Sequence, residues 1–139
     1  MDQLTFIHPE SVLGRYLNRQ PVENRTPSMN GVIFPFRFNL SQKAALENAL
    51  THSMSVIEGP PGTGKTQTIL NILANLVAIQ EKSVAVVSNN NEAVKNVIEK
   101  MTKKGYGFLT ALLGKKDNQD AFFADPPIAH VEEWDCTEE

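Results

Sequence analysis

The chain has 139 residues, 41% hydrophobic and 21% charged, as expected for one globular domain with one core. Its single cysteine excludes an internal disulfide and a cysteine-cluster zinc site, and no apolar run approaches the ~20 residues of a membrane span. The net charge of −3 excludes no partner: six of the 16 acidic residues lie in 125–139, and the other ten (16 less 6) stand against 13 basic residues.

The first 38 residues are predicted to form an N-terminal extension with one short helix at Ser11–Leu17. Near its end, Phe34, Phe36 and Phe38 occupy alternate positions, as side chains on one face of a strand do. Pro35 lacks an N–H donor, so this segment is predicted to be extended or an edge strand. The rings either close one side of the core or include one that flanks a nucleotide base, and both readings stay open.

A helix is predicted from Ser41, which can cap its first turn, to about His52. Apolar side chains recur on one face of this helix, at positions 45, 46, 49 and 50. Met54–Glu58 is a short apolar run before a glycine and predicts a buried strand.

The same alternation is repeated further along the chain. A long helix is predicted over 65–80, with apolar residues at helical spacing: Ile69, Ile72, Leu73, Leu76 and Val77. Ser83–Ser88 is rich in valine and predicts a second buried strand. Another helix is predicted over about 92–103, with positions 94, 97, 98 and 101 turned inward and Gly105 as its stop.

The order strand, helix, strand, helix predicts βαβ units, and therefore an α/β fold with a parallel sheet. Tyr106–Leu113 is a candidate third strand, and the chain turns polar after Gly114.

Residues 59–66 read Gly-Pro-Pro-Gly-Thr-Gly-Lys-Thr and match the phosphate-binding pattern G-x-x-x-x-G-K-[ST] in full. The glycines let successive N–H groups point into one concavity, where a Cβ would block a phosphate. The loop opens a helix whose first turn favours anions. Lys65 is expected to reach the β- and γ-phosphates, and Thr66 to offer its hydroxyl to Mg²⁺.

Two other segments narrow the class of P-loop protein. Gln42 lies seventeen residues before the loop, and its amide can donate and accept at once, which suits the N6/N7 edge of adenine. Ser88, Asn89 and Asn90 follow the second predicted strand, and ligands bind at this end of an open parallel sheet. These residue types also serve as ordinary helix-start, turn and N-cap residues.

Together these segments resemble motifs of the superfamily 1 helicases. Phe38–Gln42 resembles the Q motif, Gly59–Thr66 motif I and Ser88–Val94 motif Ia. The Pro-Pro pair in the loop and the Ser-Asn pair that opens motif Ia are most similar to the 5′→3′ branch, which includes the RNA helicase of nonsense-mediated decay and the Dna2-type nuclease-helicases. The resemblance implies a RecA-like domain that binds ATP and Mg²⁺ and grips single-stranded DNA or RNA.

The resemblance also implies roles for individual positions. Lys65 and Thr66 would be catalytic, with Thr66 holding Mg²⁺ through ATP. Ser88, Asn89 and Asn90 would touch the nucleic-acid backbone. The residues that would bind the cofactor are Gln42, Gly59, Pro60, Pro61, Gly62, Thr63, Gly64, Lys65, Thr66 and Gln67.

The expected organisation is an extension over 1–38, a partial RecA-like ATP-binding domain over 39–124 and an acidic tail or linker over 125–139. The expected fold is a three-layer P-loop NTPase with an incomplete parallel sheet. No convincing apolar strand ending in Asp-Glu follows the loop, since the run before Glu132 and Glu133 is too short. We interpret the chain as a fragment that ends before the Walker B strand and is not a working motor alone.

Two other classes of function stay open. A small P-loop phosphotransferase of the nucleoside or nucleotide kinase kind would share the loop, although the Lys103-Lys104 and Lys115-Lys116 pairs fit a solvated surface better than a basic lid. A nucleotide-dependent interaction module without catalysis is the other. We expect a cytoplasmic protein that binds single strands weakly, has no membrane partner and could self-associate through an exposed sheet edge.

Overall fold

The computed structural model describes residues 7–24 and 31–128, and in this part the chain forms five α-helices. The described residues fall into two compact units, divided between Ala85 and Val86. The expected acidic tail is described only as far as Ile128, so Glu132, Glu133 and Cys136 lie outside the described residues.

The first helix, α1 (Val12–Leu17), confirms the short helix predicted in the extension. Ser11 caps it by accepting a hydrogen bond from the Gly14 N–H at 3.0 Å. Arg15 donates to Glu10 at 2.7 Å on the surface, and this hydrogen bond and the charge of Glu10 raise the pKa of Arg15.

The second helix, α2 (Leu40–Thr51), has the predicted extent, but the prediction that Ser41 caps it is wrong. Asn39 is the N-cap, because its side chain accepts from the Gln42 N–H at 2.9 Å while the Gln42 side chain accepts from the Asn39 N–H at 3.0 Å. This capping box satisfies two N–H groups that the first turn leaves without helical partners. Leu46 and Leu50 are buried, which confirms the predicted apolar face.

The third helix, α3 (Lys65–Ala74), continues as a π-helical turn over Asn75–Ile79 and so confirms the helix predicted over 65–80. It packs against α2. Its predicted apolar face is only half-buried, however. The side chains that are buried almost completely are Thr68, Leu70, Asn71 and Asn75.

The predicted strands Met54–Glu58 and Ser83–Ser88 have no helical structure, but their expected burial is wrong. Val56 is 80% exposed and Val87 is 90% exposed. A strand needs the N–H and C=O groups of a neighbouring strand, and no hydrogen bond joins the main chains of these segments to any described residue. The parallel sheet therefore stays a prediction.

The fourth helix, α4 (Asn91–Thr102), begins and ends within one residue of the predicted bounds. Val97 and Met101 are buried, as predicted. Gly105 stops the helix with a φ of +82°, and the Tyr106 N–H donates to the Met101 carbonyl at 2.9 Å. This bond is typical of a helix end that has a left-handed glycine.

The prediction of a third strand at Tyr106–Leu113 is wrong, because a 3₁₀ turn occupies Gly107–Leu109. The fifth helix, α5 (Lys116–Ala124), was not predicted, since its sequence is mostly polar. Two neighbouring rings on it, Phe122 and Phe123, meet edge to face at 5.5 Å. None of the helices in the described part of the chain is long and apolar enough to cross a membrane.

Candidate nucleotide site

The loop over residues 59–64 leads directly into α3 and depends on two left-handed glycines. Gly62 has a φ of +86° and Gly64 a φ of +83°, a region that residues with a Cβ rarely enter. Gly64 is the N-cap of α3 and has no side chain to cap the helix. The N–H groups of the first turn are therefore available to an anion, and the helix dipole favours negative charge there.

The side chains of the loop fold back onto its own carbonyl groups. The Lys65 ammonium donates to the carbonyls of Gly59 and Pro60, the latter at 2.9 Å. The Thr63 hydroxyl donates to the same Pro60 carbonyl at 2.9 Å. Lys65 is thus held across the loop, and the Pro60 carbonyl accepts hydrogen bonds from both the Lys65 ammonium and the Thr63 hydroxyl.

Gln42 lies against this loop, and the loop residues that it contacts are more than twenty positions away in sequence. Its Nε2 group donates to the carbonyl of Thr63 at 3.1 Å and approaches that of Gly64 at 3.4 Å. The structure therefore brings the predicted adenine-reading residue to the predicted phosphate loop. Both halves of its amide have partners, since Oε1 accepts from Asn39, and pairing with adenine would exchange some of these bonds.

The close approach of Gln42 is possible because residue 64 is a glycine. A Cβ at that position would lie 2.1 Å from the Gln42 Nε2 atom, far inside van der Waals contact. The φ of Gly64 therefore disfavours any other residue there, and an added Cβ would displace the Gln42 amide from the loop.

Two asparagines that the sequence reasoning did not single out hold the aromatic segment against α3. The Asn71 side chain accepts from the Phe36 N–H at 3.0 Å and donates to the Phe36 carbonyl at 3.1 Å. The Asn75 side chain does the same with Ile33, at 2.9 and 2.7 Å. The available sequence signal was a pair of asparagines four residues apart in an otherwise apolar stretch of helix.

The aromatic segment itself presents a stacked pair of rings. Phe34 and Phe38 stack with their ring centroids 4.0 Å apart and an angle of 27° between their planes. Phe36 is buried. Phe38 is 47% exposed. Phe36 thus helps to close the core, as one of the two readings has it, and Phe38 faces solvent. That one of the rings flanks a nucleotide base stays a prediction.

The predicted nucleic-acid residues lie in the second compact unit and have local structural roles. The Asn90 side chain caps α4 by accepting from the Glu92 N–H at 2.9 Å. The Ser88 hydroxyl accepts from the Asn90 N–H at 3.0 Å, and Asn89 is exposed between them. Turn and N-cap chemistry is therefore present here, and contact with nucleic acid stays a prediction.

The chain belongs to the AAA domain family, whose model matches residues 37–123. It is 35% identical over 94 residues to the regulator of nonsense transcripts 1 homolog of Arabidopsis thaliana, covering 68% of this chain and 8% of that protein. It is 45% identical over 67 residues to regulator of nonsense transcripts 1 of Caenorhabditis elegans, covering 48% of this chain and 6% of that protein.

A third relative is the DNA polymerase alpha-associated DNA helicase A of Schizosaccharomyces pombe, 37% identical over 73 residues, or 52% of this chain and 11% of that protein. The predicted likeness to superfamily 1 helicases, the nonsense-mediated-decay helicase among them, is confirmed. The chain spans only about a tenth of the length of these relatives. No solved structure matches it.

Proposed function

We propose that this chain is the ATP-binding part of a superfamily 1 helicase. One observation carries the proposal: a complete P-loop sequence ends at a helix N-terminus and has Gln42 bonded to its carbonyl groups. An anion cradle is thereby joined to a side chain that can read a base. The family match and the helicase relatives support the same conclusion.

The loop residues divide the work of holding the nucleotide. The main chain of Gly62–Thr66 and the first turn of α3 would bind the phosphates, with Gln67 in that turn beside them. Lys65 would exchange its bonds to the Gly59 and Pro60 carbonyls for bonds to the β- and γ-phosphates. Pro60 and Pro61 would stiffen the entry to the loop.

Mg²⁺ fits this site as a companion of the nucleotide. Thr66 follows Lys65 in the loop and offers a hydroxyl oxygen, a ligand that Mg²⁺ accepts together with phosphate oxygens and water. Among residues 7–24 and 31–128, no three His, Cys, Asp or Glu side chains form a metal cluster. The ion, when bound, would neutralise phosphate charge, and Thr66 would be a protein ligand to it.

The finer architecture and the partners are also proposals. We infer a RecA-like domain over about 39–124, between an extension over 1–38 and an acidic tail over 125–139, with Met54–Glu58 and Ser83–Ser88 as strands of a parallel sheet. Ser88, Asn89 and Asn90 would contact the backbone of single-stranded DNA or RNA. A cytoplasmic location is part of the same proposal.

Helicase activity would belong to a longer protein. Relatives named as helicases are many times longer than the segment that matches this chain. Two RecA-like domains closing around ATP are what the resemblance implies for a motor, and this chain supplies part of one. The isolated chain would bind nucleotide without turning it over.

Binding of ATP with Mg²⁺ to the 139-residue chain, measured by calorimetry, tests the proposal. Lys65→Ala should abolish binding, because it removes the ammonium held across the loop. Lys43→Ala is the control, since the Lys43 side chain forms a surface ion pair with Glu47 at 3.7 Å, an interaction of small energy. Equal affinity of the unchanged chain and the Lys65→Ala variant would overturn the proposal.

A further inference from the structure

The segment held by Asn71 and Asn75 runs along α3 towards the phosphate loop. Asn75 bonds Ile33, and Asn71 bonds Phe36. The segment therefore runs antiparallel to α3, towards the N-terminus of that helix. Asn71 lies six residues after Lys65, about 9 Å along the helix axis at 1.5 Å per residue. Two more residues of extended chain cover about 6–7 Å of that distance, which brings Phe38 close to the level of the loop.

The residues immediately after Phe38 also lie close to the loop over residues 59–64. Asn39 caps α2, and Gln42, in the first turn of α2, bonds the carbonyls of Thr63 and Gly64. The exposed ring of Phe38 is therefore only four residues from a side chain in contact with the loop.

We propose that the stacked rings of Phe34 and Phe38 form a platform for the purine base of the nucleotide, and that Asn71 and Asn75 are positioning residues that hold it. The proposal rests on nucleotide binding at the P-loop and adds a second contact to the base. The exposed Phe38 ring would take the face of the base, and the half-buried Phe34 ring supports it from behind.

The aromatic segment is anchored to α3, and one of its stacked rings is exposed. Four hydrogen bonds from two buried amides fix the main chain of Ile33 and Phe36, and Phe34 lies between these two anchors. Phe38 lies between Phe36 and the helix cap Asn39 and stacks on Phe34, so both rings are ordered before any ligand arrives. A pre-ordered aromatic face loses little entropy on binding. Every base has a π-face, so a stacking platform strengthens binding of ATP and GTP alike, whereas Gln42 distinguishes their edges.

Three ligands separate the platform from the loop: ATP, GTP and inorganic tripolyphosphate, each with Mg²⁺ and measured by calorimetry on the full chain. Phe38→Leu removes the π-face and keeps apolar volume. It should weaken ATP and GTP about fivefold to a hundredfold, as expected for one stacked base, and leave tripolyphosphate unchanged. Phe38→Trp should retain or improve ATP binding, because it restores a larger ring.

The chain offers a matched control in its other pair of phenylalanines. Phe123 on α5 is 74% exposed and contacts Phe122, so Phe123→Leu makes the same chemical change in a residue outside the aromatic segment. It should leave all three affinities unchanged.

A double-mutant cycle between Asn71 and Phe38 tests the role of the asparagines. Asn71→Ala should weaken ATP but not tripolyphosphate, and Phe38→Leu added to it should weaken ATP no further. Asn75→Ala should act in the same way through Ile33, and it gives the answer if Asn71→Ala does not fold. A purely structural asparagine would lower thermal stability and either spare all three ligands or weaken all three.

Three results would overturn the platform, and they differ from failure of the P-loop proposal. Unchanged ATP affinity in Phe38→Leu would place the base elsewhere. An equal loss of tripolyphosphate would show that the substitution disturbed the loop, and full additivity with Asn71→Ala would remove the positioning role. If the unchanged chain binds neither ATP nor tripolyphosphate, nucleotide binding itself is wrong.

Discussion

The side-chain amide of Gln42 donates to the Thr63 carbonyl at 3.1 Å and ties the first turn of α2 to the phosphate loop. The same side chain accepts from the Asn39 N–H through its oxygen atom. Because the two halves of the amide serve different elements, helix capping and loop contact can be separated by mutation.

Gln42→Ala should erase most of the preference for ATP over GTP, which we expect to be about tenfold to a hundredfold. Guanine presents an acceptor where adenine presents a donor, so only the glutamine amide distinguishes them. Asn39→Ala is the control: it removes the helix cap at a cost of about 1 kcal/mol and should keep the nucleotide preference. An unchanged ratio in Gln42→Ala would return Gln42 to a helix-capping role alone.

Gly64→Ala should destabilise the chain without nucleotide more than Gly62→Ala does. Both positions have a positive φ, which costs an L-residue about 1–2 kcal/mol. Only at Gly64 would the new Cβ meet Gln42, whereas at Gly62 nothing lies within 4 Å. Chemical denaturation of both variants measures the difference, and adding Gln42→Ala to Gly64→Ala should recover part of it. Equal losses at the two glycines would contradict the contact.

The isolated chain should hydrolyse ATP negligibly. The loop is proposed to hold phosphate and metal, whereas orienting the attacking water and stabilising the charge of the transition state require further residues. A phosphate-release assay would contradict this expectation if it gave a turnover of ~1–100 s⁻¹ that disappears in Lys65→Ala.

Single-stranded oligonucleotides should bind weakly at Ser88–Asn90, with little sequence preference and with affinity that falls as salt rises. Asn89→Ala should weaken binding without disturbing α4, because Asn90 and not Asn89 caps that helix. NMR shift mapping checks both points. Shifts that leave Asn89 and Asn90 unaffected would rule out the motif Ia assignment.

Self-association should involve the exposed valines of Ser83–Ser88. An unpaired extended segment of this composition can add to a strand of a second copy. Val87→Lys, at a position that is 90% exposed, should reduce any concentration-dependent oligomer in sedimentation experiments. Leu109→Lys is the control at another exposed apolar position, 50% exposed. A monomer at all concentrations in the unchanged chain would refute the expectation.

The helices were predictable because their signals are local. Helical spacing of apolar residues, together with the loop that precedes Lys65 and the glycine at 105, located α2, α3 and α4. The conformation of the loop over residues 59–64 was predictable for the same reason, because it depends on glycines at fixed positions within a few consecutive residues.

The strands and the asparagine contacts depend on residues far away in sequence. Ser83–Ser88 has strand-forming composition, but pairing requires a second main chain, which composition does not specify. Asn71 and Asn75 bond residues 35 and 42 positions away, and nothing near them in sequence indicates these partners. The sequence did not predict α5, because apolar residues do not recur at helical spacing in Lys116–Ala124.

The asparagine pair has a consequence for how this region can vary in evolution. Asn71 and Asn75 bind main-chain atoms of Ile33 and Phe36, which every residue except proline can supply in full. Ile33 could therefore change in identity while these bonds stay intact. Replacing Asn71 alone would leave the buried N–H and carbonyl of Phe36 without these partners, and replacing Asn75 alone would do the same to the partly buried groups of Ile33. We therefore expect sequences that share these hydrogen bonds to vary at the position of Ile33 and to keep asparagine at positions 71 and 75.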